Sequence, residues 1–251
     1  MKALVTGASS GIGRDISIYL SSLGYDLIVV ARRKEKLEEI SKLCKTNVRL
    51  IEMDLSKSDN VIKLYEMTKK ENIDILVNNA GFGVFGEFQN TSLERELEMI
   101  ETNIKAVHIL MKLFFIDMKK RNSGYILNVS SSASFSSGPL MATYYSTKAY
   151  VTRLTTSLYE ELSKTGSRVS VSVLCPGPVR TEFNDVANVK FALNSLPSEY
   201  VAKYAVDKLL KGKLVIVPGV MMKFSRILSK ILPDALVRKY VYKIQKKKGT
   251  S

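Results

Sequence analysis

The chain has no Trp, one His, two Cys and six Pro in 251 residues, of which 45% are apolar. Two cysteines cannot build a disulfide framework, and Cys44 and Cys175 are too far apart in sequence to form a C-x-x-C redox or metal pair. A reducing, cytoplasmic setting is expected. The lone His108 has no Cys or His cluster around it, so no metal site is expected. It sits within Val107-His108-Ile109-Leu110-Met111, where packing or a local hydrogen bond is its expected role. Gly and Pro show no period, and the apolar content excludes a disordered or fibrous chain. No uncharged apolar run reaches the length of a spanning helix. Met1–Gly7 reaches a glycine turn before a secretory apolar region could develop, so no signal segment is expected.

Acidic residues are scarce in one region only. Residues 201–251 carry 13 Lys and Arg against two Asp, whereas the preceding 200 residues carry 25 against 22. The net charge of +14 is therefore a property of the last fifth of the chain. Nucleic acid is not an expected partner, because no basic groove is distributed over the body.

Short β-branched runs alternate with longer helical patterns. Strands are expected at Lys2–Thr6, Asp26–Ala31, Val48–Met53, Asp74–Asn78, Tyr125–Val129, Arg168–Leu174 and Lys213–Val217. Helices are expected over 12–23, 33–45, a run to residue 71 capped by Ser56, 91–121, 143–164 and 198–210. Thr91 and Glu94 have capping-box spacing, and a break is expected near Thr102-Asn103. Continuous apolar strands separated by helices read as an α/β fold: a single Rossmann-type domain, with a seven-stranded parallel sheet covered by helices on both faces. Residues 1–217 form its core and 218–251 a basic, amphipathic helical appendage.

The first strand runs into Thr6-Gly7-Ala8-Ser9-Ser10-Gly11-Ile12-Gly13. A strand, a tight glycine turn and a helix N-terminus together suit a pyrophosphate: Gly7 turns the chain, Gly11 admits close approach, and Gly13 lets the helix pack on the sheet. No Lys-Ser/Thr follows, which excludes a triphosphatase P-loop. The second strand ends in Ala31-Arg32-Arg33, where an NAD site normally carries a carboxylate. An arginine fork suits a 2′-phosphate, so NADP(H) is the expected cofactor, with Arg32 first and Arg33 or Arg14 second. Asp54, followed by Leu55 at the third strand's end, is placed to accept from the adenine amino group. Asn78-Asn79-Ala80-Gly81 leaves room beside a ribose and can also brace the turn.

The richest polar region is 128–148. Tyr144 and Lys148 share a helix face, and an ammonium beside a phenol favours phenolate. Tyr145 and Lys148 can also meet, so spacing alone does not choose between the tyrosines. Ser131 ends the fifth strand at the expected crevice.

In this order and spacing, the motifs resemble those of the short-chain dehydrogenase/reductase family over nearly all of residues 1–217. The resemblance implies Asn103, Ser131, Tyr144 and Lys148 as the catalytic set and selects Tyr144 over Tyr145. It implies cofactor contacts at Gly7, Ser9, Ser10, Gly11, Ile12, Gly13, Arg32, Arg33, Asp54, Leu55, Asn79, Ala80, Gly81, Tyr144 and Lys148, and in the Pro176-Gly177 turn with Val179 and Thr181. Thr181 resembles the residue that holds the nicotinamide carboxamide. It further implies hydride transfer between NADP(H) and a carbonyl or alcohol carbon, and a homodimer or homotetramer built on the helices around 92–121 and 143–164.

Expected pocket walls are Phe82, Val84, Phe85, Ala133, Phe135, Leu140 and Met141, with Val179, Phe183, Val186 and Phe191 in a lid. This mostly apolar inventory suits a small hydrophobic carbonyl or alcohol substrate. In the tail, Phe224, Ile227, Leu228, Ile231 and Leu232 recur at helical spacing between Lys223, Arg226 and Lys230. This basic amphipathic pair, ending in Lys246-Lys247-Lys248, suits three uses: covering the pocket, joining a subunit interface, or making peripheral contact with an anionic membrane. The alternative to an enzyme is a catalytically silent nicotinamide-nucleotide-binding protein.

Overall fold

The structure is a computed structural model that describes residues 1–183 and 195–246. Seven parallel strands form the sheet: β1 (Lys2–Thr6), β2 (Asp26–Ala31), β3 (Val48–Glu52), β4 (Ile75–Asn78), β5 (Gly124–Val129), β6 (Val169–Leu174) and β7 (Val215–Ile216), in the order β3-β2-β1-β4-β5-β6-β7. β1 pairs in register with β2 on one side, Val5 opposite Val29, and with β4 on the other, Val5 opposite Val77. The order reverses between β1 and β4, and in such sheets a crevice opens at the carboxyl ends of the strands at that point.

The helices are α1 (Gly11–Ser22), α2 (Lys34–Leu43), α3 (Ser58–Thr68), α4 (Leu93–Ile100), α5 (Val107–Lys120), α6 (Ala142–Ser163), α7 (Ser198–Leu209), α8 (Val220–Ile231) and α9 (Asp234–Lys246). Alternate strand residues serve opposite faces. Ala3, Val5 and Val29 pack with Ile16, Leu20, Leu37, Val201 and Leu209, while Leu4, Ile28 and Val30 pack with Leu64, Leu110, Phe114 and Leu162. α1 buries Gly13, Ile16, Ser17, Leu20 and Ser21, a helical stripe whose small members bring the helix close to the sheet.

Two expected caps differ. α4 is capped by Ser92, whose hydroxyl accepts from the Arg95 amide, because Thr91 instead bonds the Phe88 carbonyl and Glu96. α3 starts at Ser58 without a side-chain cap, and Ser56 folds back onto Asp54. The expected break near Asn103 is a π-helical turn, Glu101–Ala106, between α4 and α5. Between β6 and α7, Val179–Arg180 pairs in parallel with Leu196–Pro197.

Candidate active site

The glycine turn and the end of β4 are knitted together at the switch point. Thr6 Oγ1 donates to the Val77 carbonyl and accepts from the Asn79 and Ala80 amides at 3.0 and 3.1 Å. Asn79 Nδ2 donates to the Thr6 and Gly7 carbonyls at 3.0 and 2.9 Å. Gly7 takes φ +62° where a Cβ would lie 2.7 Å from Ala80 Cα, and Gly11 takes φ +53° where one would meet Thr181 Cγ2 at 2.7 Å. Glycine is required at both positions. Thr181 therefore lies over the turn. Ser10 caps α1 in an extended conformation with no side-chain bond to the first-turn amides, so those donors are turned toward the crevice.

Arg33 reaches across this turn. Its Nη2 donates to Ser9 Oγ at 3.1 Å, Ser10 Oγ at 3.2 Å and Glu182 Oε2 at 2.7 Å. Arg32, ranked first from the sequence, turns toward Glu98 at 3.2 Å, and Arg14 pairs with Asp15 at 3.5 Å. Burial raises the Asp54 carboxyl, but the Ser56 amide and hydroxyl with the Arg32 and Lys57 charges outweigh it and hold its pKa below the usual carboxylate range. Leu55 is buried beneath it and Ile12 packs on the core. Bare backbone, uncapped amides and rim arginines fit a dinucleotide's pyrophosphate and adenosine end.

At the reacting end, Ser131 terminates β5 and caps a short 3₁₀ turn, Ser132–Phe135, accepting from the Ala133 amide at 3.1 Å. Its hydroxyl faces the phenol of Tyr144, on the first turn of α6, and favours the phenolate there. Lys148, one turn on, donates from Nζ to the Val129 carbonyl at 3.0 Å and lies 5.8 Å from the centre of the Tyr144 ring. Burial lowers the lysine to about 8, with Cys175 opposing weakly. The expected depression of the phenol by Lys148 is not found: burial pushes Tyr144 up, and the Ser131 hydroxyl offsets only part of this. Desolvation is the largest influence on the phenol, and Lys148 Nζ donates to Val129.

The π turn directs Asn103 inward. Its Oδ1 accepts from the Phe82 amide at 3.1 Å, and its Nδ2 donates to the Phe82 carbonyl at 2.9 Å and to Thr147 Oγ1 at 3.1 Å. Asn103 thus braces the loop after β4 against α6. Asn78 is structural, donating to Asn128 Oδ1 at 2.8 Å. Pro176 accepts from the Ser132 amide at 2.8 Å, and Met222 of α8 packs onto Gly177. His108 Nδ1 meets the Tyr150 hydroxyl at 2.7 Å on an exposed surface between α5 and α6, the local role expected for it.

Phe82, Met99, Ala133, Met141 and Tyr144 form a buried apolar cluster flanked by Val84, Phe85, Tyr145 and Phe183. The Phe183 ring centre is 5.4 Å from that of Tyr144. Val179, expected in the lid, is buried in the core among Val201 and Ala202, and Phe135, expected in the wall, packs under α8 with Val217 and Met222. Leu140 is held at φ +66°, its carbonyl accepting from Gly86. Val186 and Phe191 lie outside the described residues, as do Lys247 and Lys248. One contact escaped the sequence reading: Gln245 of α9 donates to the Tyr145 hydroxyl at 2.6 Å. Its alignment with Val237, Val241 and Ile244 on one face of α9 was the available signal.

A doubly wound parallel sheet with this turn and this Ser–Tyr–Lys grouping defines a nicotinamide-nucleotide-dependent oxidoreductase. The chain belongs to the short-chain dehydrogenase family, whose profile matches residues 1–190. It is similar to the farnesol dehydrogenase of Aedes aegypti, 32% identical over 190 residues that cover 72% of this chain and 78% of that protein. A short-chain dehydrogenase from Sphingobium yanoikuyae, solved with NADPH, superposes with a TM-score of 0.81 at 26% identity, covering 93% of this chain and 97% of that one. A short chain dehydrogenase/reductase from Burkholderia phymatum, solved with NAD, gives 0.82 at 25% identity, covering 90% and 91%. The protein is thus an NAD- or NADP-dependent oxidoreductase acting on a small organic substrate.

Proposed function

We propose that the protein is an NADP(H)-dependent reductase of hydrophobic ketones or aldehydes, working in the cytoplasm as a homodimer or homotetramer. The observation that carries this reading is the convergence of Ser131, Tyr144 and Lys148 beside an apolar wall at the switch point. When bound, the nicotinamide cofactor supplies or accepts the hydride. Ser131 hydrogen-bonds the substrate oxygen and Tyr144 gives that oxygen its proton. Lys148 holds the nicotinamide ribose hydroxyls and relays a proton to Tyr144. Asn103 keeps the Phe82 loop registered on α6 and anchors a water between Lys148 and solvent. Gly7, Ser9, Ser10, Gly11, Ile12 and Gly13 seat the pyrophosphate. Asn79, Ala80 and Gly81 flank the ribose, Asp54 and Leu55 receive the adenine, and Thr181 with the Pro176–Val179 turn holds the carboxamide.

Preference for NADP(H) is supported by Arg33 over Ser9 and Ser10, by Arg32 at the end of β2, and by the NADPH bound to the Sphingobium yanoikuyae relative. Arg33 would hold a 2′-phosphate by turning from Glu182, because that exposed ion pair is weak. An apolar substrate is supported by Phe82, Val84, Phe85, Met141 and Phe183, and by the prenyl alcohol named for the Aedes aegypti relative. Self-association is supported by Leu97, Ile116 and Tyr150, exposed on α4, α5 and α6.

The test is a panel of apolar ketones, aldehydes and alcohols assayed with NADPH, NADH and their oxidised forms. Carbonyl-dependent NADPH oxidation faster than NADH oxidation is the expected result. Tight cofactor binding without turnover across the panel would instead identify a silent nucleotide-binding protein.

A further inference from the structure

The C-terminal helix pair carries an interaction surface that the oxidoreductase chemistry does not use. α8 rests on the body through Met222, Arg226 and Ser229. Met222 packs on Gly177 beside Val173, Cys175 and Val217, and the Arg226 guanidinium lies 5.8 Å from the Phe135 ring centre. At about 100° per residue these three occupy one arc of the helix, and Val220, Phe224, Ile227 and Ile231 occupy the opposite arc. The second set is 82, 65, 57 and 73% exposed, and none of α8 is buried. An amphipathic helix on a globular body normally turns its apolar arc inward. Here it faces solvent.

Lys223 and Lys230, both exposed, border that arc. Lys223, Arg226 and Lys230, with Val217 and Ile227, line a hollow of about 200 Å³. Among the described residues none of these three cations has a carboxylate within ion-pair distance. Lys223 is placed over the Tyr204 ring at 5.6 Å. On α9, Lys239, Lys243 and Lys246 are exposed beside Leu236 and Tyr240.

We infer that this pair seats the protein on the surface of an anionic phospholipid bilayer. The apolar arc of α8 enters the acyl boundary while the exposed Lys223 and Lys230 at its edge gather headgroup phosphates. No helix among the described residues is long and apolar enough to cross a membrane, so α8 lies in the plane of the interface. A second copy is the poorer occupant: two-fold pairing of this face sets Lys223 and Lys230 of one protomer against those of the other. A neutral apolar partner leaves the 13 cations against two carboxylates of residues 201–251 without a role.

The test is sedimentation of the full chain with phosphatidylcholine vesicles, with and without phosphatidylserine. Binding is expected only with phosphatidylserine, falling with added salt and by about fivefold for each change in Lys223→Gln and Lys230→Gln. Phe224→Ser with Ile231→Ser is expected to weaken binding by roughly tenfold or more. Its thermal midpoint should be unchanged, because both side chains are exposed. Absence of binding to phosphatidylserine vesicles at low salt overturns the inference, as does equal binding by the variants. So does an oligomer that the Phe224→Ser, Ile231→Ser chain cannot form when neither chain binds vesicles; that result assigns the face to a second copy. Vesicle binding is read without turnover, so its failure leaves the reductase reading intact.

Discussion

The crevice body and the C-terminal helix pair use their polar and apolar groups in opposite ways. In the body, the buried polar side chains Thr6, Asn103, Asn128 and Ser130 all bond within the fold, and among the described residues Asn78 Oδ1 and Ser172 Oγ are exceptions. In the tail, α8 buries nothing and α9 buries only Gln245, whose Oε1 has no partner. The body's stability lies in a shared core and a closed hydrogen-bond network. The tail is held by a few contacts, so changes there should alter what the protein touches far more than whether it folds.

The largest expected effect tests the body's side of this contrast. Tyr144→Phe removes the proposed proton donor while keeping the ring in its apolar cluster. Turnover should fall by roughly 10²–10⁴-fold, with cofactor affinity, read by nucleotide fluorescence titration, unchanged. Normal turnover would remove Tyr144 from the mechanism.

The next largest is a pH dependence of stability. Lys148 is lowered from 10.5 to about 8 in the fold, so between those values the unfolded chain binds more protons than the native one. Lys148 therefore makes unfolding free energy rise with pH from about 8, by on the order of 3 kcal/mol across the window, while above 9.0 the Cys44 and Cys175 thiols, both pushed up by burial, oppose it. Above the ordinary tyrosine value of 10.0, Tyr144, raised by burial, and Tyr145, pushed up to about 12, act in the opposite sense. Urea midpoints measured from pH 7 upward should show the rise in the native chain, and Lys148→Met should flatten it.

Arg33→Ala isolates the cofactor end. Loss of a charged contact to the 2′-phosphate should weaken NADPH binding by roughly tenfold to a hundredfold, from about 1.5–3 kcal/mol, with NADH nearly unaffected. Equal losses for both cofactors would point to the pyrophosphate as its target. Gln245→Leu should give the smallest effect, within about 1 kcal/mol in urea unfolding, because it removes one hydrogen bond together with one orphaned oxygen. A larger loss would mean that α9 belongs to the body's cooperative unit.

Much of the body was legible from local chemistry. β1 and β2 match their expected spans residue for residue, and α1, α6 and α7 match to within a residue or two at each end, because their apolar periods and glycine stops are strong. The cap of α4 was not legible. Ser92 and Thr91 are chemically alike there, and the choice turned on Glu96 reaching back to Thr91. Arg32 and Arg33 were likewise equivalent in sequence, and only the packing of α2 and α4 sends one to Glu98 and the other over Ser9 and Ser10. Phe135 looked like a pocket wall and Val179 like part of a lid by composition, but both turn away, and no periodicity operates in such short loops to say so.

Sequence alone determined the parallel sheet, the glycine turn at its switch point and the Tyr144–Lys148 helix face. These follow from residue spacing and backbone freedom, which act over one or two turns of chain. Tertiary structure alone decided that Lys148 Nζ donates to Val129, that burial raises the Tyr144 phenol, and that α8 turns its apolar arc outward. Desolvation and packing depend on which distant segments arrive at the same place. No local pattern carries that information.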